Sequence, residues 1–167
     1  MRRRRVLEGV AAAGLCSLAG CTSPLGGNGT VLGRIEVINA SFVSNRIRLL
    51  VTRDEETVLD RPVELPAMGG GDGLPMTVVP PTWPEVRGAY TVHATHYGDD
   101  GDRESRTWEH TFTRDDYDDY YPDDRDDPGC LAAVVKMGSL AESANAPIGI
   151  GPTYADDPCE PTSTESQ

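Results

Sequence analysis

The residues best suited to covalent chemistry are cysteines. Leu18-Ala19-Gly20-Cys21 sets a leucine three positions before a cysteine, with two small residues between them. This is lipobox spacing: the small side chains let a peptidase reach the bond before Cys21, whose thiol then takes a lipid through a thioether. Cys16 is a poorer candidate, because Leu15 fills the position before it. With Cys16 removed in residues 1–20 and Cys21 carrying lipid, Cys130 and Cys159 are the two thiols left. In an oxidising compartment they are expected to pair as a disulfide.

The remaining chemistry-bearing residues give weaker patterns. Arg114 to Pro128 (RDDYDDYYPDDRDDP) holds eight aspartates. Clustered carboxylates suit a hard cation such as calcium, and Asp115, Asp116, Asp118, Asp119, Asp123 and Asp124 would be the ligands. The run lacks the EF-hand order and its central glycine, so a solvated acidic loop is the plainer expectation, with no metal or other cofactor. His93 and His96 are three apart in an expected strand and so fall on opposite faces. His110, between Trp108 and Phe112, reads as a tucked, hydrogen-bonded ring. A blue-copper site needs two His, one Cys and a weak axial ligand. Cys130 is followed by Leu131-Ala132-Ala133-Val134-Val135-Lys136-Met137, without a histidine, which argues against that site. There is no Gly-x-Ser-x-Gly, phosphate loop or zinc spacing, and acid pairs are too abundant for any one to mark a catalyst. The expectation is a non-enzymatic protein. Asn28-Gly29-Thr30 and Asn39-Ala40-Ser41 have the form of glycosylation acceptors, and Asn28, placed in an expected tether, is the better of the two.

The segments that carry these residues divide the chain. Arg2 to Arg5 form a basic start, and Val10–Gly20 is an apolar stretch of 11 residues. A membrane span needs about 20, so residues 1–20 read as a signal peptide. Arg3-Arg4-Arg5-Val6-Leu7 also fits the twin-arginine pattern of two arginines, any residue and two apolar residues. On Arg3, Arg4, Val6, Leu7, Leu18, Ala19, Gly20 and Cys21 the N-terminus resembles those of haloarchaeal twin-arginine lipoproteins, although Glu8 stands where those often have lysine. The resemblance implies export and a lipid on Cys21 that anchors the chain to the outer face of the cytoplasmic membrane.

Charge agrees with that setting. The chain carries 15 basic and 27 acidic residues. Removing residues 1–20 takes away four arginines and Glu8, leaving 11 bases against 26 acids and a net charge of −15. Such a surface repels nucleic acid and anionic lipid. Lys136 is the one lysine. An acidic, lysine-poor surface suits molar salt, where the Debye length falls to about 3 Å.

After a small, polar tether over residues 21–32, the apolar period is two. Ile35 and Val37 alternate with Arg34 and Glu36, Ile47, Leu49 and Val51 with Arg46, Arg48 and Leu50, and Leu59, Val63 and Leu65 with Val58, Asp60 and Glu64. Tyr90, Val92 and Ala94 alternate with threonines and histidine, Trp108 and Phe112 share a face, and Leu131, Ala133 and Val135 give a final strand. Asp54-Glu55-Glu56 reads as a hairpin turn, Pro62 marks its strand as an edge or bulged, and Met76–Val79 is a short strand in a Gly/Pro-rich connection. Aromatics make up 6% of the chain, so the core must rest on aliphatic side chains. Six or seven strands with one apolar face each, and no convincing helix, predict an all-β antiparallel sandwich over residues 33–137. Residues 138–167 are expected to form a loop-rich tail tied back by the disulfide. The pattern resembles the immunoglobulin-like domains of haloarchaeal surface lipoproteins, without the Cys…Trp…Cys spacing. The expected role is a lipid-anchored, non-catalytic binding or structural module with an envelope protein or glycan as partner. The alternatives are a calcium-dependent binder using the Asp-rich 115–127 loop and an extracellular enzyme of unrecognised type.

Overall fold

A computed structural model describes residues 28–69, 73–97, 105–122, 127–138, 148–155 and 157–159. The period-two segments form the strands β1 (Leu32–Asn39), β2 (Asn45–Arg53), β3 (Glu56–Leu65), β4 (Met76–Val79), β5 (Tyr90–His96), β6 (Arg106–Phe112), β7 (Leu131–Met137) and β8 (Ile148–Thr153). They make two four-stranded sheets, in the orders β4-β1-β7-β8 and β3-β2-β5-β6. The apolar rows read from the sequence face each other. Ile35, Val37, Leu131, Ala133 and Val135 from one sheet and Ile47, Leu49, Val51, Tyr90, Val92, Ala94 and Phe112 from the other are fully buried in one core. The protein is an all-β sandwich. Pro62 lies on β3, an edge strand as expected; there its missing amide hydrogen breaks no ladder between two neighbours.

Three features differ from the sequence expectation. An eighth strand, β8, lies in the stretch read as loop. Gly149, Gly151 and Pro152 hide it, yet an edge strand tolerates all three, and Ile148 and Ile150 carry its inward face. The pairing of β1 with β7 is parallel, while the other ladders are antiparallel. Parallel neighbours need a long crossover, and here the whole second sheet is built between them. The sandwich also begins earlier than residue 33. The Asn28 carbonyl accepts from Arg114 N–H (2.9 Å), the Thr30 carbonyl from Gly88 N–H (3.0 Å), and Gly29 bridges to Thr113. Residues 28–32 are thus part of the domain and not of a free tether.

The chain crosses from the first sheet to the second between Asn39 and Asn45, and a buried carboxamide organises that corner. Asn39 is 0% exposed. Its Nδ2 donates to the carbonyls of Val43 (2.8 Å) and Pro66 (2.7 Å). Its Oδ1 accepts from the Ser41 amide (3.1 Å), the Ser41 hydroxyl (2.7 Å) and Asn45 Nδ2 (3.0 Å). Backbone bonds extend the cluster: Asn39 N–H to Pro75 O, Ala40 N–H to Met137 O and Met68 N–H to Ser41 O. A loop that turns inside a sandwich must satisfy its peptide groups without a ladder, and this one side chain does so for three of them, in its own turn and at the exit of β3. Gly138, with φ +84°, lies so close that an added Cβ would stand 2.8 Å from Ser41 Cβ.

At the opposite end a bulge in β1, between Leu32 and Ile35, leaves the Arg34 amide off the β7 ladder. The carbonyl of Pro158 takes it (2.8 Å), and a Cβ on Gly33 would sit 2.0 Å from that oxygen. Cys159 follows at once and stands at disulfide distance from Cys130, their Cα atoms 5.6 Å apart, inside the usual range. Glycine, bulge and cysteine together seat the tail against β1.

Replacing Asn39 with alanine strands the Pro66 carbonyl and the Ser41 amide inside the corner, while the Val43 carbonyl keeps the Ser41 hydroxyl (3.0 Å) and Asn45 Nδ2 (3.1 Å). At about 1–3 kcal/mol for a buried group left unsatisfied, Asn39→Ala should lower stability by roughly 3 kcal/mol in a denaturant titration. A loss below about 0.5 kcal/mol would show that the corner holds without its carboxamide.

Candidate functional site

Cys21 and the export residues Arg3, Arg4, Leu18, Ala19 and Gly20 lie outside the described residues. Cys130 and Cys159 meet as above. The two candidate glycan acceptors separate sharply. Asn28 is exposed. Asn39 is sealed in the corner with its Nδ2 committed to two carbonyls, so the expectation for Asn39 is corrected: in the folded domain it is not an acceptor.

The aspartate run is corrected too. Its first part is the helix α1 (Arg114–Tyr120) and not a loop. Thr113 caps it: its hydroxyl accepts the Asp116 amide, and Asp116 Oδ2 accepts the Thr113 amide at 2.8 Å, a reciprocal capping box. Asp115 and Asp116 sit in the first turn, where the helix dipole favours negative charge. Tyr117 and Tyr121 bury their rings on the core, stacked at 5.2 Å between centroids, with Tyr154 5.8 Å from Tyr121. The tyrosines interleaved with the acids are what fold the run. Three of its carboxylates are spent locally: Asp116 on the cap, Asp118 on Arg114 (2.8 Å), and Asp127 on the Tyr117 hydroxyl; Asp115 and Asp119 are exposed. Asp123 and Asp124 lie outside the described residues. Among the described residues, no three His, Cys, Asp or Glu side chains converge on a metal position.

The histidines do not meet. His93 Nδ1 pairs with Glu109 (3.1 Å) on the outer face of its sheet, and His96 Nε2 bonds Asn45 Oδ1 (3.0 Å) beside the corner. His110 packs edge-on to Phe112 at 4.7 Å. Its Nε2 is 3.4 Å from Asp116 Oδ1, close enough for charge attraction but without a formed hydrogen bond; the ring is tucked as expected and the bond is not.

What the fold gathers instead is a difference between its two ends. The first end carries Asn28, α1 and the Cys130–Cys159 pair. The second holds the ends of β1, β3, β5 and β7 and the starts of β2, β4, β6 and β8, as the registers Ile38↔Met76, Asn39↔Met137, Met137↔Ile148, Asn45↔Leu65 and His96↔Arg106 require. Phe42 (59% exposed), Val43, Leu74, Met76 (53% exposed) and Tyr97 all stand exposed at this second end, against Val86 and Tyr154 at the first. Periodicity could not reveal them, because they lie in loops or at strand starts. Comparison with known proteins finds no match, whether among family models, curated proteins or solved structures.

At the first end the Tyr117 hydroxyl donates to Asp127, and the Gly129 amide donates to Asp127 Oδ1 (2.9 Å) and to the Tyr117 oxygen (3.1 Å). Burial, and then the bond to Asp127, push the Tyr117 hydroxyl up to about 12 from 10.0. The same bond, followed by the Gly129 amide, holds Asp127 below the usual carboxylate range. Because the tyrosine pKa is higher folded than unfolded, its contribution is complete below about pH 10 and is lost as pH rises through about 12. Tyr117→Phe should cost about 1–2 kcal/mol at neutral pH and make the fall in stability over that alkaline window shallower. An unchanged alkaline slope would mean that Tyr117 ionises in the folded chain as it does in the unfolded one.

Proposed function

We propose that the chain is a lipid-anchored, non-catalytic module of a halophilic cell surface. It is exported by the twin-arginine route, is held to the outer leaflet through Cys21, and offers its far end to an envelope partner, protein or glycan. The anchor reading rests on Leu18-Ala19-Gly20-Cys21 and on the arginines at Arg3 and Arg4. The observation that carries the binding reading is that the exposed Phe42, Val43, Leu74, Met76 and Tyr97 stand at the end opposite to Asn28. Seven residues separate Asn28 from Cys21, a reach of at most about 25 Å. A lipid on Cys21 would therefore hold the α1 end near the bilayer. The apolar end would then face outward, where a partner meets it.

The test is Cys21→Ser, followed by detergent-phase partitioning and mass spectrometry of the mature chain. The native chain should enter the detergent phase with a lipid mass on Cys21. The variant should appear in the aqueous phase or persist as an unprocessed precursor. Partitioning unaltered by the substitution would sink the anchor.

A further inference from the structure

The two sheets have very different outer faces. On the β3-β2-β5-β6 sheet most outward positions are cross-linked polar pairs, Leu50 aside: Arg48–Asp60 (2.5 Å), Arg46–Glu64 (3.2 Å), His93–Glu109 (3.1 Å), Thr91–Thr111 (2.9 Å) and Thr95–Thr107 (2.8 Å). Such a face is finished; its polar groups bond one another or water.

On the β4-β1-β7-β8 sheet the strand registers turn Met76, Val78, Ile38 and Val134 outward. Met76 is 53% exposed, and the other three are partly exposed. Beside them β8 turns out Gly149 and Gly151, and a Cβ built on either meets nothing within 4 Å. The result is a shallow apolar strip bordered by bare backbone. The doublets Val37-Ile38, Val78-Val79 and Val134-Val135 are its trace in the sequence; the other sheet has a comparable run, Leu49-Leu50-Val51, whose outward Leu50 is partly buried beside His93.

The charge of this face is also unlike the rest. Arg34, Glu36 and Lys136 are its outward charged residues, two bases against one acid, on a chain of net charge −12 that holds a single lysine. Within the chain Arg34 Nη2 donates to Glu36 Oε1 at 3.1 Å, so a Lys136 from a second copy would join an existing pair. Two copies approaching by most of their surface meet as acid against acid. Here they do not. The face is also self-complementary. In the register Glu36 lies beside Val134 and Ile38 beside Lys136. A twofold axis along the Ile38–Val134 diagonal would set each Lys136 against the Glu36 of the other copy, while Ile38 and Val134 met their own counterparts. This is the residue-to-residue reciprocity of an isologous contact.

We infer that the outer face of the β4-β1-β7-β8 sheet is where two copies of this chain associate, with Ile38, Met76, Val78 and Val134 as the dry centre and Lys136–Glu36 as the reciprocal ion pair. Four short strands cover less than the roughly 800 Å² per partner of a standard stable interface, so the dimer is weak and concentration-dependent. The inference does not rest on the lipid anchor.

Sedimentation equilibrium of the full chain, in molar chloride with mild detergent, reads it directly. The native chain should show a monomer–dimer equilibrium. Gly151→Arg fills open space, clashes with nothing in its own fold and places a charged stem in the strip, so it should raise the dissociation constant at least about tenfold. Lys136→Glu should do the same by opposing Glu36, and the double exchange Lys136→Glu with Glu36→Lys should recover the dimer. An unchanged melting curve for Gly151→Arg and Lys136→Glu keeps loss of dimer distinct from loss of fold. A native chain that stays monomeric up to about 1 mM, or a dimer indifferent to both Gly151→Arg and Lys136→Glu, would overturn the proposal. A dimer lost in the single variants but not recovered by the exchange would overturn the reciprocal pairing.

Discussion

The structure depends on how one chain passes from the first sheet to the second without stranding its peptide groups. Each sheet satisfies its own backbone, and the apolar rows satisfy each other, but the turn between β1 and β2 lies where neither applies. Asn39 resolves this with a side chain that can donate twice and accept several times. It binds its own turn through Val43 and Ser41, reaches Pro66 at the exit of β3, and touches Asn45 at the entry of β2. Through Asn45 the network extends to His96 on β5. Four elements thereby share one reference point, which sets where the first sheet lies over the second. Fully satisfied buried polar networks of this kind favour one arrangement over alternatives of similar hydrophobic burial.

Much of the architecture could be read from the sequence, for a definite reason. A strand with one buried face writes a period of two; β5 and β6 wrote it plainly, and β1, β2 and β7 wrote it through their inward rows although Ile38, Leu50 and Val134 interrupt the outward one. Pro62 marked an edge because its missing hydrogen has a single structural meaning. What stayed hidden was non-local or atypical. β8 reads as a loop because glycine and proline dominate it, and only pairing with β7 gives it a strand's shape. The α1 segment reads as a solvated run because its aspartates outnumber its tyrosines, although Tyr117 and Tyr121 decide its fold. Asn39 looked like a surface acceptor, since a sequon is a local pattern and burial is not. The Cys130–Cys159 pair followed from counting, whereas the bulge at Gly33–Arg34 that receives Pro158 had no local sign.

The same geometry gives the molecule direction. Chain entry, acidic helix and cysteine pair gather at one end; exposed Phe42, Val43, Leu74, Met76 and Tyr97 gather at the other. Loops at the end of a sandwich are free to vary while the sheets hold them in place, which is why the proposed recognition is assigned to that end. The acidic surface supplies solubility, and the few apolar places it leaves uncovered then stand out. Among the described residues the largest of these are the far-end loops and the strip on the β4-β1-β7-β8 face, which share Met76; Val86 and Tyr154 are exposed at the first end.

If the Asn39 corner fixes the two sheets, its amides must be as hard to open as the strands it joins. Native-state hydrogen exchange measures this residue by residue. The amides of Ala40, Ser41 and Met68, bonded to Met137 O, Asn39 Oδ1 and Ser41 O, should exchange only through global unfolding, with the protection of Val37 and Leu49 in the core. Exchange of these three at the rate of an ordinary surface loop, while the core strands stay protected, would contradict the account.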